Sequence, residues 1–398
     1  MKKLFSIAVA AIVCFGASAQ VQTPAQEQED GFKFETVKEL PITKVQDQAS
    51  TGTCWCFSAT SFLESEMIRN GYKAENLNLS EMFTVYNAYV DKAVKYVRVD
   101  GALNFAQGSS FGDVVITMKK YGAVPESVMP GLNYGTTRHA HSELAKGLKG
   151  FVSAIASVPN KKLTTAWIPA FKGILNAYLG EAPSTFTYNG KEYTPKSYLE
   201  SLPINLDDYV QLTSWTHLSY YEKHPVEVAD NWRWEEAFNV PLDEFVAIID
   251  NAINNGYTVA WASDVSEQGF TRDGVALVPD VEAVNAEGSD QARWLGKTTP
   301  TGKFNLTGPV TELKIDAAMR QEGYENKTTT DDHGMHIFGI AKDCKGNKYY
   351  MVKNSWGTSS KYKGIWYVSE AFVRYKTMDL MVHKNALPKE LKKKLNIK

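Results

Sequence analysis

From position 54 the chain repeats apolar residues at helical spacing. Cys56, Ala59, Leu63 and Met67 share one face, Ile68 extends it, and Gly71 follows as a C-terminal cap. A second helix opens at Leu79–Phe83 with Ser80 as its N-cap. A third runs from Val114 to Tyr121 behind the glycine-bearing loop Gly108–Asp113 and stops at Gly122. Helical patterns return at Leu144–Val158, Trp167–Leu179 and Leu242–Asn255, and a short one at Thr311–Glu322. Strands are predicted at Tyr257–Val265, His333–Ile340 and Lys348–Lys353, with a turn at Lys342–Asn347 joining the last two. Phe186–Tyr193 reads as a hairpin about Asn189-Gly190.

Composition adds bounds to this pattern. The 398 residues are 43% hydrophobic and 22% charged, an ordinary globular makeup with ample core, and the net charge of −2 gives no footprint for nucleic acid. Lys2-Lys3, the apolar run Leu4–Phe15 and the small residues Ala17-Ser18-Ala19 read as a secretory signal cut after Ala19. The run is too short for a membrane span, so the protein is expected to be exported, periplasmic or secreted, without a stable membrane anchor. Cys54, Cys56 and Cys344 remain after cleavage, an odd number that leaves at least one free thiol and excludes a disulfide-stapled scaffold.

The candidate chemistry centres on Gln48–Ser58, where a turn of small polar residues runs straight into the first helix. A thiol in the first helical turn feels the positive end of the macrodipole and unpaired N–H groups, so the Cys54 thiolate is favoured. Its own N–H can donate to an oxyanion, and the side-chain amide of Gln48 can supply a second donor. Cys56 points away into the apolar face. The predicted hairpin brings the start of its first strand to the end of its second, so Asn354 can orient an imidazole on the first strand. Strand alternation puts His333 and Met335 on one face and His336 on the other, so only one histidine can face a cleft. His139 and His141 read as a solvated or hydrogen-bonded pair rather than a metal site, since no further ligand follows at metal spacing. Clustered aromatics such as Trp215, Trp232 and Trp234 read as core.

Gln48, Gly52, Cys54 and Trp55 resemble the active-site segment of papain-like cysteine peptidases, although Thr51 and Thr53 replace two residues of that signature. His333-Gly334 with Gly339, and Asn354-Ser355-Trp356-Gly357, resemble the family's histidine and asparagine segments in the same chain order. The resemblance selects His333 as the base and leaves His336 as a polar core residue that needs a partner. It implies that Trp356 shields the His333–Asn354 hydrogen bond and that Gly108, Ser109 and Ser110 line the substrate cleft. From position 54 to position 333 is 279 residues, against about 130–150 in papain, so a large insertion is expected. Leu179–Tyr188, Thr194-Pro195 and Trp261–Val265 resemble the bleomycin hydrolase/aminopeptidase C branch. In that branch the C-terminus lies in the cleft and members form hexamers. The resemblance therefore implies a homo-oligomer, and a Lys398 carboxylate that pairs with the substrate's α-ammonium.

The reading is an α+β, papain-like two-lobed fold: a signal at 1–19, a flexible lead-in at 20–35, and a helical lobe at 36–135. A mostly helical insertion at 136–239 follows, then a β-barrel-like lobe at 240–383 and a basic tail at 384–398. Cys54, His333, Asn354 and Gln48 are the catalytic candidates; Gly108, Ser109, Ser110, Trp356 and Lys398 are the substrate-binding ones, with peptides as partners and neither metal nor cofactor. An endopeptidase with an open cleft, and a non-catalytic peptide-binding protein on the same fold, are the rival readings.

Overall fold

A computed structural model describes residues 31–158, 162–280 and 308–398. The signal segment and most of the lead-in lie outside the described residues, as does much of the loop expected at 267–308. The chain opens with strand β1 (Phe34–Glu39) and helices α1 (Cys54–Arg69), α2 (Glu81–Arg98) and α3 (Phe111–Tyr121). Next come α4 (Ser142–Ala156), α5 (Trp167–Leu179), the hairpin β2 (Phe186–Tyr188) and β3 (Lys191–Tyr193), and α6 (Pro195–Glu200). Strands β4 (Tyr209–Thr213), β5 (Lys223–Pro225) and β6 (Glu236–Asn239) lead to α7 (Leu242–Asn254), β7 (Val259–Ser263) and β8 (Val275–Ala276). The last part holds α8 (Ala317–Glu325), β9 (His333–Asp343), β10 (Lys348–Lys353), β11 (Ile365–Ser369), α9 (Glu370–Lys376), β12 (Thr377–His383) and α10 (Lys389–Lys394).

Among the described residues one ten-stranded sheet organises the fold, in the order β5-β6-β4-β12-β7-β9-β10-β11-β8, with β1 added on β9. The long strand β9 is the pivot. Its first half pairs with β7, from Ser263↔His333 to Val259↔Ile337, and its second half with β1, while β10 pairs along it from Lys342 back to His336. Two large apolar clusters flank this frame. One is helical, built on α1 to α5; the other joins α7 to the sheet through Phe245, Ile249, Val259, Ile337 and Leu380.

Helix α1 is enclosed almost all round, from Trp55 to Met67, which explains why its apolar stripe is less clean than that of α7. The expected Ser80 cap forms, and the next helix is capped as well. Ser80 accepts from the Phe83 N–H, and Ser110 forms a capping box with Asp113. The Asn189-Gly190 turn has positive φ at both residues, 49° and 75°, as a two-residue hairpin requires.

The segment 136–239 departs from the mostly helical insertion expected. It supplies α4, α5 and α6, but also β4, β5 and β6, which extend the main sheet beyond β12. Leu212 pairs with Leu380 and Val210 with Val382, so these strands exist through partners far along the chain. The basic tail differs as well. Leu391 and Leu395 are buried in the cluster with α7, the Asn251 side-chain N–H donates to the Ala386 carbonyl at 2.7 Å, and Lys394 pairs with Glu244 at 2.6 Å.

Candidate active site

Cys54 is the first residue of α1, and no side chain caps the Thr53 N-cap position. Thr51 and Thr53 hydroxyls bond each other at 2.6 Å, and the Thr51 hydroxyl donates to the Gln48 carbonyl, so the turn closes on itself. The first-turn N–H groups of Cys56 and Phe57 donate to the Thr53 carbonyl, at 2.9 and 3.2 Å, in place of a side-chain cap. Gly52 N–H donates to Gln107 Oε1 at 2.8 Å and the Trp55 indole to the Gln107 carbonyl at 3.0 Å, pinning the nucleophile loop to the stretch before α3.

The hairpin of β9 and β10 sets the second half of the site. His333 Nε2 lies 2.8 Å from Asn354 Oδ1, and the Ser355 N–H donates to that same oxygen at 2.7 Å. A backbone donor identifies the Asn354 atom as the carbonyl oxygen, so His333 Nε2 carries its hydrogen and Nδ1 presents a lone pair. Trp356 packs on the His333 ring, centroids 4.7 Å apart and planes tilted by 30°, and itself meets Phe270 and Trp366 edge to face. One face of the His333–Asn354 pair is thus covered by aromatic surface.

Cys54 and His333 line one cavity together with Gly108, Ser109, Ser110 and Phe111. Burial pushes the Cys54 thiol up to about 12, opposed by backbone hydrogen bonds from Gly334 and Trp55 and reinforced by the nearby Asp331. Burial pushes His333 down to about 4, opposed by its bond to Asn354. Desolvation thus outweighs the helix-start effect for the lone thiol, contrary to the expectation of an already favoured thiolate. Charging either group alone is unfavourable here. Moving the proton from Cys54 to His333 creates both charges side by side, and their attraction offsets the desolvation.

The remaining candidates fall out as follows. Gln48 is buried, with its amide N–H donating to the Thr51 carbonyl at 2.7 Å and its oxygen accepting from the Ser355 hydroxyl at 2.6 Å. It ties the cysteine loop to the asparagine segment, but it is not among the residues that line the cavity. Ser109 donates to Asp113 at 2.6 Å and accepts from the Trp232 indole at 2.6 Å, so its side chain is committed to the wall. Gly108 is required by a close approach: a Cβ there would sit 1.7 Å from Asp230 Oδ2. Trp356 covers His333 and does not line the cavity. Lys398 is not placed in the cleft. The apolar contacts of α10 hold the tail against α7 instead, which corrects the proposed carboxylate anchor.

His336 finds the partner its burial demands, Ser61 Oγ at 2.9 Å from Nδ1. Cys56 is buried with its thiol 3.4 Å from the Glu81 carbonyl, and no disulfide joins Cys54, Cys56 and Cys344. His139 and His141 pack ring to ring at 5.7 Å, both are buried, and neither His141 nitrogen has a hydrogen-bond partner, so they are a packed pair rather than the solvated or hydrogen-bonded one expected. Among the described residues no group of His, Cys, Asp or Glu is arranged to hold a metal ion, and no helix is long and apolar enough to cross a membrane.

Sequence reasoning missed the acidic lining of the cavity, Asp230, Glu235, Asp331, Asp332 and Asp379. One signal was available. Asp379 interrupts the otherwise apolar run Met378, Leu380, Met381, Val382, and a carboxylate in a buried strand calls for a reason.

Comparison with known proteins agrees with this architecture. A family model described as "Peptidase C1-like family" matches residues 2–398. The chain is 24% identical to Aminopeptidase G of Lactobacillus delbrueckii subsp. lactis over 88% of its length and 83% of that protein's. It is 24% identical to Aminopeptidase C of Streptococcus thermophilus over 94% of its length and 87% of that protein's. The crystal structure of PepW from Lactobacillus rhamnosis HN001 superposes with a TM-score of 0.68 at 20% identity, covering 91% of this chain and 84% of that one, a likeness of fold.

Proposed function

Because the chain belongs to the Peptidase C1-like family and is a cysteine-type peptidase, we propose that it removes amino-terminal residues from peptides through Cys54, His333 and Asn354. The observation that carries the mechanism is the shared cavity of Cys54 and His333, with the imidazole tautomer set by Asn354. The thiol proton passes to His333 Nδ1 as sulfur bonds to the scissile carbonyl carbon. The resulting oxyanion is met by the Cys54 N–H at the helix start, while Gln48, bonded to Thr51 and Ser355, braces the loop from outside the cavity. The C–N bond breaks as His333 returns the proton to the departing amine. Water, deprotonated by His333, then attacks the thioester carbonyl and frees Cys54.

The names of the relatives support the aminopeptidase reading. One observation favours the endopeptidase alternative: the basic tail packs on α7 and leaves the cleft unobstructed by the chain's end. The deciding experiment compares a free-amine aminoacyl amide with its N-acetylated twin, under mild reductant, for wild type and Cys54→Ala. Turnover of the free amine alone, lost in Cys54→Ala, is expected; preference for the blocked twin would establish the endopeptidase. Export belongs to the same proposal, on the support of the basic-apolar-small pattern of residues 2–19. A mature chain that begins at Gln20, read by N-terminal sequencing from an exporting host, is the expected result.

A further inference from the structure

The cavity beside Cys54 has an acidic floor for which the reaction above has no use. Asp379 lies in β12 where the pairing with β7 slips: Thr377 faces Ser263 but Leu380 faces Trp261, so the β12 side carries one extra residue. Such bulges re-aim side chains. Asp379 is 8% exposed, lines the cavity, and its Oδ1 is buried with no hydrogen-bond partner. A buried carboxylate without a partner is unfavourable unless something arrives to pair with it.

Four more carboxylates line the same cavity, Asp230, Glu235, Asp331 and Asp332, and of these Glu235 accepts from the Gln211 amide at 3.1 Å. Asp331 stands two residues before His333, and its neighbours in charge are Asp379, Asp230, Asp332 and Asp264, all of one sign. Asp230 closes over Gly108, which has no Cβ to keep it away, and accepts from the Asn104 side chain at 3.1 Å. The buried cation Lys92 donates two of its three hydrogens to the Ala106 and Gly108 carbonyls, at 2.9 and 2.6 Å. Asp332 is engaged elsewhere, accepting from the Val265 N–H at 2.9 Å and from the Ser266 hydroxyl. Burial alone raises Asp379 to about 7, and burial with the surrounding carboxylates raises Asp331, so an entering positive charge would relieve both. The described residues offer no metal-holding geometry, so an organic cation fits the floor.

We propose that Asp379, with Asp331 and Asp230, forms a cation-binding subsite that selects substrates by an ammonium or guanidinium group placed beside the scissile bond. The proposal rests on the peptidase reading. It moves the recognition of charge from the chain's own terminus to the cleft floor. The cation has two sources, the α-ammonium of the residue being released or a basic side chain of the residue before it.

Four aminocoumarin amides separate these sources: norleucine with a free or an acetylated amine, and N-acetyl-Lys-norleucine against N-acetyl-norleucyl-norleucine. Wild type is expected to favour at least one cationic member over its neutral twin about tenfold or more in kcat/KM, and Asp379→Asn and Asp331→Asn to bring that ratio toward one. A preference in the first pair identifies the α-ammonium, and in the second the side chain. Equal turnover within both pairs by wild type, or a preference that survives both folded variants, overturns the proposal. If no Cys54-dependent turnover is found, the peptidase reading fails and the subsite is tested separately. Calorimetric titration of Cys54→Ala with norleucinamide and with N-acetyl-lysinamide, each against N-acetyl-norleucinamide, should then show that a cationic ligand binds more tightly than the neutral one and that the difference vanishes when Asp379→Asn is added. Equal binding of all three would overturn it.

Discussion

Asn354 Oδ1 accepts two hydrogens, one from His333 and one from the Ser355 backbone, and this double use makes the residue an orienter rather than a reactant. His333→Ala should therefore lower kcat/KM by roughly 10²–10⁴, the range for loss of a positioned base, while Asn354→Ala should cost less and shift the acid limb of the pH–rate profile, which a merely structural loss would not do. Steady-state kinetics across pH 4–9 checks both. Asp379 gives a prediction of opposite kind. Its carboxyl is raised from 3.8 to about 7, so the folded protein holds a proton that the unfolded chain has released. Stability from this group is full below about pH 4 and is lost as pH rises through about 7, by at most about 4 kcal/mol. Asp379→Asn should thus melt above wild type at pH 8 and not at pH 4, measured by thermal unfolding. A helix start singled out Cys54 and a hairpin set Asn354 beside the start of β9, while the choice of His333 over His336 came from the family resemblance. Asp379 was not legible, because its direction depends on a one-residue slip between β12 and β7 that no local pattern encodes.

At the scale of elements, α10 shows where a periodic pattern was present but its partner was not. Leu387, Leu391 and Leu395 recur every four residues, and all three are buried with α7. Lysines fill the positions between the last two, and the leucines decide the packing. Leu391→Ala should destabilise the fold by about 2–5 kcal/mol in denaturant unfolding, and removal of residues 389–398 by more. The free-amine preference should survive that truncation, because Lys398 does not line the cleft. Strand β4 illustrates the other limit. Its five residues alternate weakly, and their place in the sheet comes from β12, some 170 positions later, so short strands of this kind stay hidden while α7, with its wide apolar face, was located to within one residue.

For the whole molecule, the helical half and the sheet meet across a buried polar junction. Lys353 of β10 donates to Ser61 of α1 at 2.8 Å and to Thr43 at 3.0 Å, Thr43 donates to Glu64 of α1 at 2.5 Å, and Ser61 also meets His336 of β9. Burial lowers Lys353 to about 8, with Glu64 and Glu81 opposing the fall. Lys353→Ala should destabilise by roughly 3–5 kcal/mol, since Glu64 stays buried with its countercharge gone. Lys353→Met combined with Glu64→Gln should recover much of that loss, as a double-mutant cycle would read. The junction sits behind the catalytic hairpin, so the same substitutions should alter the spacing of Cys54 and His333 as well as the melting point.

The docked tail has a practical consequence. With Leu391 and Leu395 held against α7, the last residue is exposed and lies outside the catalytic cavity. A resin or a fusion partner joined at Lys398 would leave peptides free access to Cys54, so the protein should work as a solid-phase reagent when tethered by its end.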